Sequence, residues 1–413
     1  MVAPGGSVQR LADSLAPGEV GCLRAGTYVE AVTVSNGGAP GQPLTLRSYP
    51  GEVATLVGRL VIQKSANHVT VEQLVLDGQN RDRLPSPTVN GDHVTFRLND
   101  VTNSHSAICF VIGASNVDNS VKWGRAQDTL IEGNRIHGCG VLPAANHDHG
   151  IYVEGADDTR IQGNWIYDNA DRGVQLYPDA QRSVVIGNVI DGNGTGLVFS
   201  GEGGATSNDN LVAGNVITNS RLRPNVESWW GGPEVGRGNV LRDNCVSGGP
   251  RDDGNGGINA ADGGFSSRRN RAAAPGFVNR AAKDFRLAPD SPCLSLHGAG
   301  NTVPGVGGSV PVTARRAARR PALRLRVRPG FVRHGRRTVI RGHVDLKRVN
   351  SGRRVTILAR GKRGRHVIGR SKVLAGGAFR LTRRLHPHGR TVRLVAVVRG
   401  VGRSRAVRLH VRR

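Results

Sequence analysis

A Gly-Asn pair recurs between short apolar stretches, and this repeat constrains the fold more than any other feature of the chain. Four segments align without gaps around it: LIEGNRIHG from Leu130, RIQGNWIYDN from Arg160, VVIGNVIDGN from Val184 and LVAGNVITNS from Leu211. A weaker copy, VLRDNCVSGG, starts at Val240. Asn134, Asn164, Asn188, Asn215 and Asn244 follow one another at steps of 30, 24, 27 and 29 residues. VTVEQLVLDG from Val69 and VTFRLNDVTN from Val94 fit the same frame with the marker degraded or lost. A unit of this length buries its apolar face only by stacking on its neighbours, and uneven steps place the extra residues in loops.

Within the unit, period-2 alternation predicts Ile186 and Ile190 inward and Val189 outward. The Gly-Asn is expected to turn the chain, because both residue types tolerate left-handed backbone angles. At the strand spacing of ~4.8 Å, the Asn amides of successive rungs can hydrogen-bond to one another. A second strand follows each turn: AICFVIG at Ala107, GIYVEG at Gly150, GVQLYP at Gly173 and GLVFSG at Gly196. There Ile151 and Val153 are expected in the core, with Tyr152 and Glu154 outside.

Composition agrees with a turn-rich β chain: 58 residues are Gly and only 4% are aromatic. No apolar run reaches the ~18 residues of a membrane span. The chain opens MVAPGGS, without a charged-then-apolar leader. Cys22, Cys109, Cys139, Cys245 and Cys293 are an odd number without CxxC spacing. They predict neither a zinc site nor a disulfide framework; at most two bridges could form, and most are expected as buried thiols.

The repeat resembles the right-handed parallel β-helix of the pectate-lyase-like superfamily. SVQRLADSLAPGEVGCLRAGTYVEAVTV looks like that family's cap helix and first rungs, and DFRLAPDSPCLSLHGAG from Asp284 looks like its closing coil. The resemblance implies an all-β, single-stranded right-handed parallel β-helix over residues 1–300. It also implies a carbohydrate-active protein that is secreted or held at the cell surface. On that view MVAPGGS resembles the start of a mature domain, and the export signal is expected upstream. The pectate-lyase arginine signature, the polygalacturonase Asn-Thr-Asp and Arg-Ile-Lys motifs and the alginate-epimerase Tyr-Gly-Asp-Pro-His motif are all absent from the chain.

The charge is divided sharply. From residue 301 onward there are 32 Lys and Arg against one acid, Asp345, whereas residues 1–300 carry 25 basic and 30 acidic residues. Residues 301–320 read as a linker ending in ARRAARRP. Residues 321–413 hold seven strand-like runs with strict alternation, such as Leu323, Leu325 and Val327 against Arg324, Arg326 and Arg328. Seven short strands predict a small Ig-like β-sandwich, and the GGAFRL turn around Gly376 resembles a loop of such modules. Its arginine-coated face fits an anionic cell-surface polymer. Phe331 and Phe379 are its only Phe, Tyr or Trp residues, so no stacking platform for specific nucleic-acid binding is present. A monomer is expected.

The densest polar cluster is NHDHGIYVEG, around His147, Asp148 and His149. Aligning the second strands puts His149 over Arg172 and Thr195, and Asp148 over Asp171 and over His105 of the preceding rung. On the outer face Tyr152 lies over Gln175, and Glu154 over Tyr177. Cleavage of a uronic-acid polymer by a polysaccharide lyase needs the sugar carboxylate neutralised, by Arg172 or by Ca²⁺ held between Asp148 and Asp171. His149 or Tyr152 could then take the proton and His147 could protonate the leaving oxygen. A glycoside hydrolase would instead use Asp148 and Asp171 as a carboxylate pair. Binding or adhesion without catalysis is the third reading. Gln175, Tyr177, Glu154, Trp229 and Trp230 are candidate substrate-binding residues, the tryptophans stacking on sugar faces from an insertion that starts at Arg221. No other cofactor is indicated.

Overall fold

The computed structural model describes residues 1–115, 120–296 and 302–308, together with separate strand segments between 323 and 412. The chain divides into two compact units, Met1–Ala317 and Ala318–Arg413.

The first unit is a parallel β-solenoid. A short cap helix, Val8–Ser14, starts at the N-cap Ser7, whose hydroxyl accepts from Arg10 N–H. Successive rungs then stack their strands into three ten-stranded sheets, one strand per rung in the first two, whereas the third also takes in Ala126–Gln127 and the antiparallel Ala205–Thr206. The first sheet runs from Val20–Leu23 to Phe265–Arg268, and the second from Gly26–Val29 to Arg271–Ala272. The third sheet carries Phe110–Gly113, Ile151–Asp157, Arg172–Gln181 and Thr195–Glu202 as consecutive neighbours. One apolar column fills the space between the sheets; Ile131, Ile136, Ile151, Val174 and Leu197 are among its fully buried members.

The Gly-Asn corner divides its work between the two residues. Glycine alone takes the left-handed conformation, with φ of +64° at Gly133, +63° at Gly163, +65° at Gly187 and +65° at Gly214. Asparagine turns its amide inward. Each Oδ1 accepts both the backbone N–H and the Nδ2 of the asparagine one rung earlier. This gives Nδ2–Oδ1 distances of 3.0 Å for Asn99–Asn134 and Asn134–Asn164, and 2.9 Å for Asn164–Asn188, Asn188–Asn215, Asn215–Asn244 and Asn244–Asn270. The ladder therefore extends one rung beyond the recognisable repeat at each end. There Leu98 and Arg269 hold the left-handed position at φ of 55° and 52°.

Two expectations about the unit are corrected. Val185, not Ile186, lies in the central core with Ile190, because the inward-turned asparagine takes the place that strict alternation would give its neighbour. Val189 does point outward, but it is covered. It packs with Trp165, Tyr167, Val216 and Cys245 against Phe285, Leu287 and Cys293 of the closing coil.

The thiol expectation fails for four of the five cysteines. Cys109 is bonded to Cys139 and Cys245 to Cys293, while Cys22 is free. Both pairs are distant in sequence and become neighbours only through rung stacking and coil docking. Among the described residues, no helix is long and apolar enough to cross a membrane.

In the second unit, a three-stranded antiparallel sheet joins Leu323–Val327, Arg337–Val344 and Ala378–Arg384. A six-stranded sheet of mainly antiparallel pairs contains Arg354–Gly361, Gly364–Lys372, Thr391–Val398 and Val407–Arg412. The expected turn at Gly376 and residues 309–320 of the expected linker lie outside the described residues.

Candidate functional site

The site is built on the outer face of the third sheet. Ile151 pairs with Val174, and Tyr152 with Gln175. On the next rungs Gln175 pairs with Val198 and Val198 with Glu227, while Arg172 pairs with Thr195. Ile151, Val174, Leu197 and Val226 face the core. The opposite parity therefore stacks Tyr152, Gln175, Val198 and Glu227 in one outer column. His149 and Arg172 begin their strands just before Gly150 and Gly173. Both glycines are required by packing: a Cβ on Gly150 would lie 2.7 Å from Asn169 Nδ2, and one on Gly173 2.9 Å from Asn193 Nδ2. These amides belong to a second, shorter ladder in which Asn169 Nδ2 donates to Asn193 Oδ1 at 2.8 Å.

The expected stacking of Asp148 with Asp171 is present, but their carboxylates have structural partners. Asp171 Oδ2 accepts from His147 N–H at 2.9 Å and Asp148 N–H at 3.2 Å, and Asp148 Oδ2 accepts from Val141 N–H at 3.1 Å. Both cap the loop that carries His147. Among the described residues no three His, Cys, Asp or Glu side chains converge as metal ligands. One oxygen of each carboxylate is already engaged by backbone N–H groups. His105 does not stack over Asp148; it sits at a corner where its Nδ1 meets Gly140 O at 3.0 Å.

His149, Arg172 and Gln175 form a buried polar group. His149 is 3% exposed, Arg172 5% and Gln175 6%. The Arg172 guanidinium donates from Nη1 to Asn146 O at 2.7 Å, which ties down the His147 loop. His149 Nδ1, Arg172 Nε and Gln175 Oε1 have no hydrogen-bond partner. The Gln175 side chain and the Asp148 backbone lie close enough to the imidazole to favour its protonated form, although neither contact has good hydrogen-bond geometry at Nδ1 or at Gln175 Oε1. Burial, and then the positive charge of Arg172, hold His149 well below the usual imidazole range, so it is neutral at physiological pH. Burial also lowers the Arg172 pKa, and the nearby Arg223 charge adds to the effect.

Three aromatic rings run beside this group. Tyr152 meets the His149 ring edge-on at 5.5 Å and stacks on Tyr177 at 6.1 Å, and Tyr177 in turn meets Trp229 at 6.1 Å. The Tyr177 hydroxyl donates to the Glu202 carboxylate. Trp229 is 43% exposed. The other two candidates point elsewhere. Trp230 packs against the core and donates from Nε1 to Gly263 O at 3.4 Å, and buried Glu154 accepts from Ser115 N–H at 2.9 Å. Both are better explained as structural.

Sequence reading does not single out Glu227, Arg223 or Glu202. Val226–Trp230 is a further strand of the third sheet rather than an interruption of the rungs. The signal for it is the 29-residue step from Leu197 to Val226, equal to the step from Asn215 to Asn244. Glu227 is buried, and burial raises its carboxyl pKa against the opposing effects of Arg223 and Arg172. Arg223 Nη1 lies 3.5 Å from Glu227 Oε1.

With this geometry in hand, a family model described as "Right handed beta helix region" matches residues 88–271, the rungs that carry the site. The solenoid is a right-handed parallel β-helix. Among solved structures it is similar to pectate lyase Pel9A, at 15% identity and a TM-score of 0.49, over 71% of this chain and 90% of that one. It is also similar to the A-module of the Azotobacter vinelandii mannuronan C-5 epimerase AlgE6, at 15% identity and a TM-score of 0.32, over 62% of this chain and 91% of that one. A third is the PL6 family alginate lyase AlyGC, at 16% identity and a TM-score of 0.32, over 70% of this chain and 53% of that one. A search of curated proteins gave no match.

Proposed function

We propose that this protein binds an acidic polysaccharide along the outer face of its third sheet and cleaves it by β-elimination at a uronic acid. The observation that carries the reading is the buried polar group of His149, Arg172 and Gln175 lying beneath a partly exposed aromatic strip on the outer face. A buried polar atom without a partner costs about 1–3 kcal/mol. Such atoms also occur elsewhere in the solenoid, at Thr129, Thr159 and Ser183 for example; what sets this group apart is that it carries an arginine and an imidazole beside aromatic rings on the outer face.

In the proposed step the uronate carboxylate is drawn to the outer face by the positive charge of Arg172, whose buried guanidinium lies beneath it, and this acidifies the C5 proton. Tyr152 is partly exposed and lies over neutral His149. As the phenolate, it takes the C5 proton, the C5–H pair forms the C4–C5 double bond and the C4–O4 bond breaks. His147, exposed on the rim, gives its proton to the leaving oxygen. His149 is too buried to touch sugar and acts as a positioning residue beneath Tyr152. Hydrolysis is less well served, because it needs two free carboxylates and both Asp148 and Asp171 hold backbone N–H groups. The raised carboxyl pKa of Glu227 is the one feature that favours it, as a general acid.

The two disulfides support export to an oxidising compartment. For the second unit we keep the reading of an Ig-like module that holds an anionic surface polymer. Its composition, 32 Lys and Arg against one acid from residue 301 onward, supports that reading.

The test is incubation of the purified chain with uronate-containing polymers, reading unsaturated-product absorbance and new reducing ends together. Elimination gives both signals, hydrolysis gives reducing ends alone, and a binder gives neither. Tyr152→Phe should lower turnover roughly 10²- to 10⁴-fold while polymer binding persists. Absence of both binding and cleavage across the panel would overturn the reading.

A further inference from the structure

The outer face of the third sheet has two chemically different halves. At the rungs of His149 and Arg172, the ligand-facing charge is positive: Asp171 is turned to backbone N–H groups and Arg172 retains an unpartnered Nε. Two strand steps further on, the sign reverses. Glu227 stands in the outer column, exposed Glu202 lies beside the rings of Tyr177 and Trp229, and exposed Asp262 acts on Glu227. Arg223 lies 3.5 Å from Glu227 and offsets one of these three carboxylates, which leaves the net charge here negative.

Glu202 and Trp229 belong to one surface. A Cβ placed on Gly231 would lie 2.8 Å from Trp229 Cη2 and 2.9 Å from Glu202 Cγ. Between the halves, Gln175 offers its buried, unpartnered Oε1 in the same column as Glu227. Two strand steps separate Arg172 from Glu227, about 10 Å along the axis and on the order of the length of a disaccharide.

Carboxylate acceptors beside an exposed indole and a phenol ring suit an uncharged sugar. Its hydroxyls donate to the carboxylates and its apolar face covers the rings. A second uronate in the same place would meet Glu227, Glu202 and Asp262 with like charge, and juxtaposed like charges are how a binding surface excludes the wrong partner.

Resting on the reading of this face as the polysaccharide site, we propose that its substrate alternates a uronic acid with an uncharged sugar. Arg172 holds the uronate, and Glu202, Glu227, Tyr177 and Trp229 form the subsite for the uncharged residue. Glu227 is thus a specificity-determining residue that excludes homopolymeric uronates.

The experiment compares two polymers of matched length, a homopolyuronate and a uronate–N-acetylhexosamine copolymer, by affinity electrophoresis and by initial rates with the whole chain. The copolymer should be preferred by roughly tenfold or more in Kd or kcat/KM, and Trp229→Ala should weaken it by about fivefold to 100-fold. Glu227→Gln should improve homopolymer recognition by about fivefold to tenfold and shrink the preference. Glu202→Gln, on an exposed side chain, should act in the same direction and gives a second reading if Glu227→Gln folds poorly. Equal or better use of the homopolymer by the unaltered protein would overturn the alternating-substrate proposal and leave the polysaccharide site standing. So would an unchanged preference in folded carboxylate variants. No interaction with either polymer would overturn both.

Discussion

Replacing Asn188 by Ala tests whether the asparagine ladder carries the stability of the solenoid or merely decorates its corner. Asn188 Oδ1 accepts from Asn164 N–H and Asn164 Nδ2, each at 2.9 Å. Its own Nδ2 donates to Ile161 O at 3.0 Å and to Asn215 Oδ1 at 2.9 Å. All of these groups are buried, so water cannot replace the lost amide. The buried Asn164 N–H would be orphaned, at about 1–3 kcal/mol, and the other three bonds contribute about 1 kcal/mol each. The expected loss is therefore about 4–6 kcal/mol. Asn270 makes the same acceptor contacts to Asn244, but it is half-exposed at the end of the ladder. Water can stand in there, and Asn270→Ala should cost only about 1–2 kcal/mol. Urea unfolding followed by circular dichroism measures both, with amide exchange at Asn164 as a local check. Equal losses at the two positions, or a loss below about 2 kcal/mol at Asn188, would refute the claim that buried amide pairing holds the rungs in register.

Two further outcomes follow from other parts of the structure. His149 is held neutral well below its usual range, so below pH ~6.5 the unfolded chain binds a proton that the folded chain refuses. Stability should fall with decreasing pH in that window, from ~6.5 down to the folded value, by about 1.4 kcal/mol per unit from this residue. His149→Gln should flatten that part of the curve in pH-dependent urea titrations; an identical slope in the variant would count against the burial argument. The Cys245–Cys293 bond closes a 48-residue span and holds the coil over Trp165, Tyr167 and Val189. Cys245→Ser with Cys293→Ser should cost up to about 4 kcal/mol by loop-closure entropy and expose residues 273–293 to limited proteolysis; a coil that stays resistant would show that Phe285 and Leu287 suffice.

What could be read from the sequence follows the range of the interactions involved. The Gly-Asn corner is local, so Asn134, Asn164, Asn188 and Asn215 announce themselves, as does the outer placement of Tyr152 over Gln175. The Val94 segment showed the frame of Asn99 without its marker, and Asn270 was hidden altogether, because Leu98 and Arg269 accept the left-handed angle without glycine. The disulfides were hidden because stacking over loops of unequal length, not spacing, brings Cys109 to Cys139. Glu227 was hidden because two tryptophans and several glycines make its strand look like a loop, although its step from the preceding rung is regular. The error at Ile186 is also physical: alternation assumes two equal faces, and the inward asparagine breaks that equality.

The ladder and the site are linked by more than alignment. Unpaired groups such as His149 Nδ1 and Arg172 Nε would pair with the nearest carbonyl if their strands could shift by a fraction of a rung. They cannot shift, because Gly150 and Gly173 are pressed against the Asn169 and Asn193 amides, which bond to each other and to Ile136 O and Ile166 O. A saturated corner thus fixes the strand that begins beside it, and rigidity at the corner is what allows polar atoms on the neighbouring residues to stay unsatisfied. The buried asparagines are then what hold His149 and Arg172 in place beneath the aromatic strip. Loosening Asn193 should therefore harm the site before it unfolds the chain, by letting Arg172 find a partner of its own.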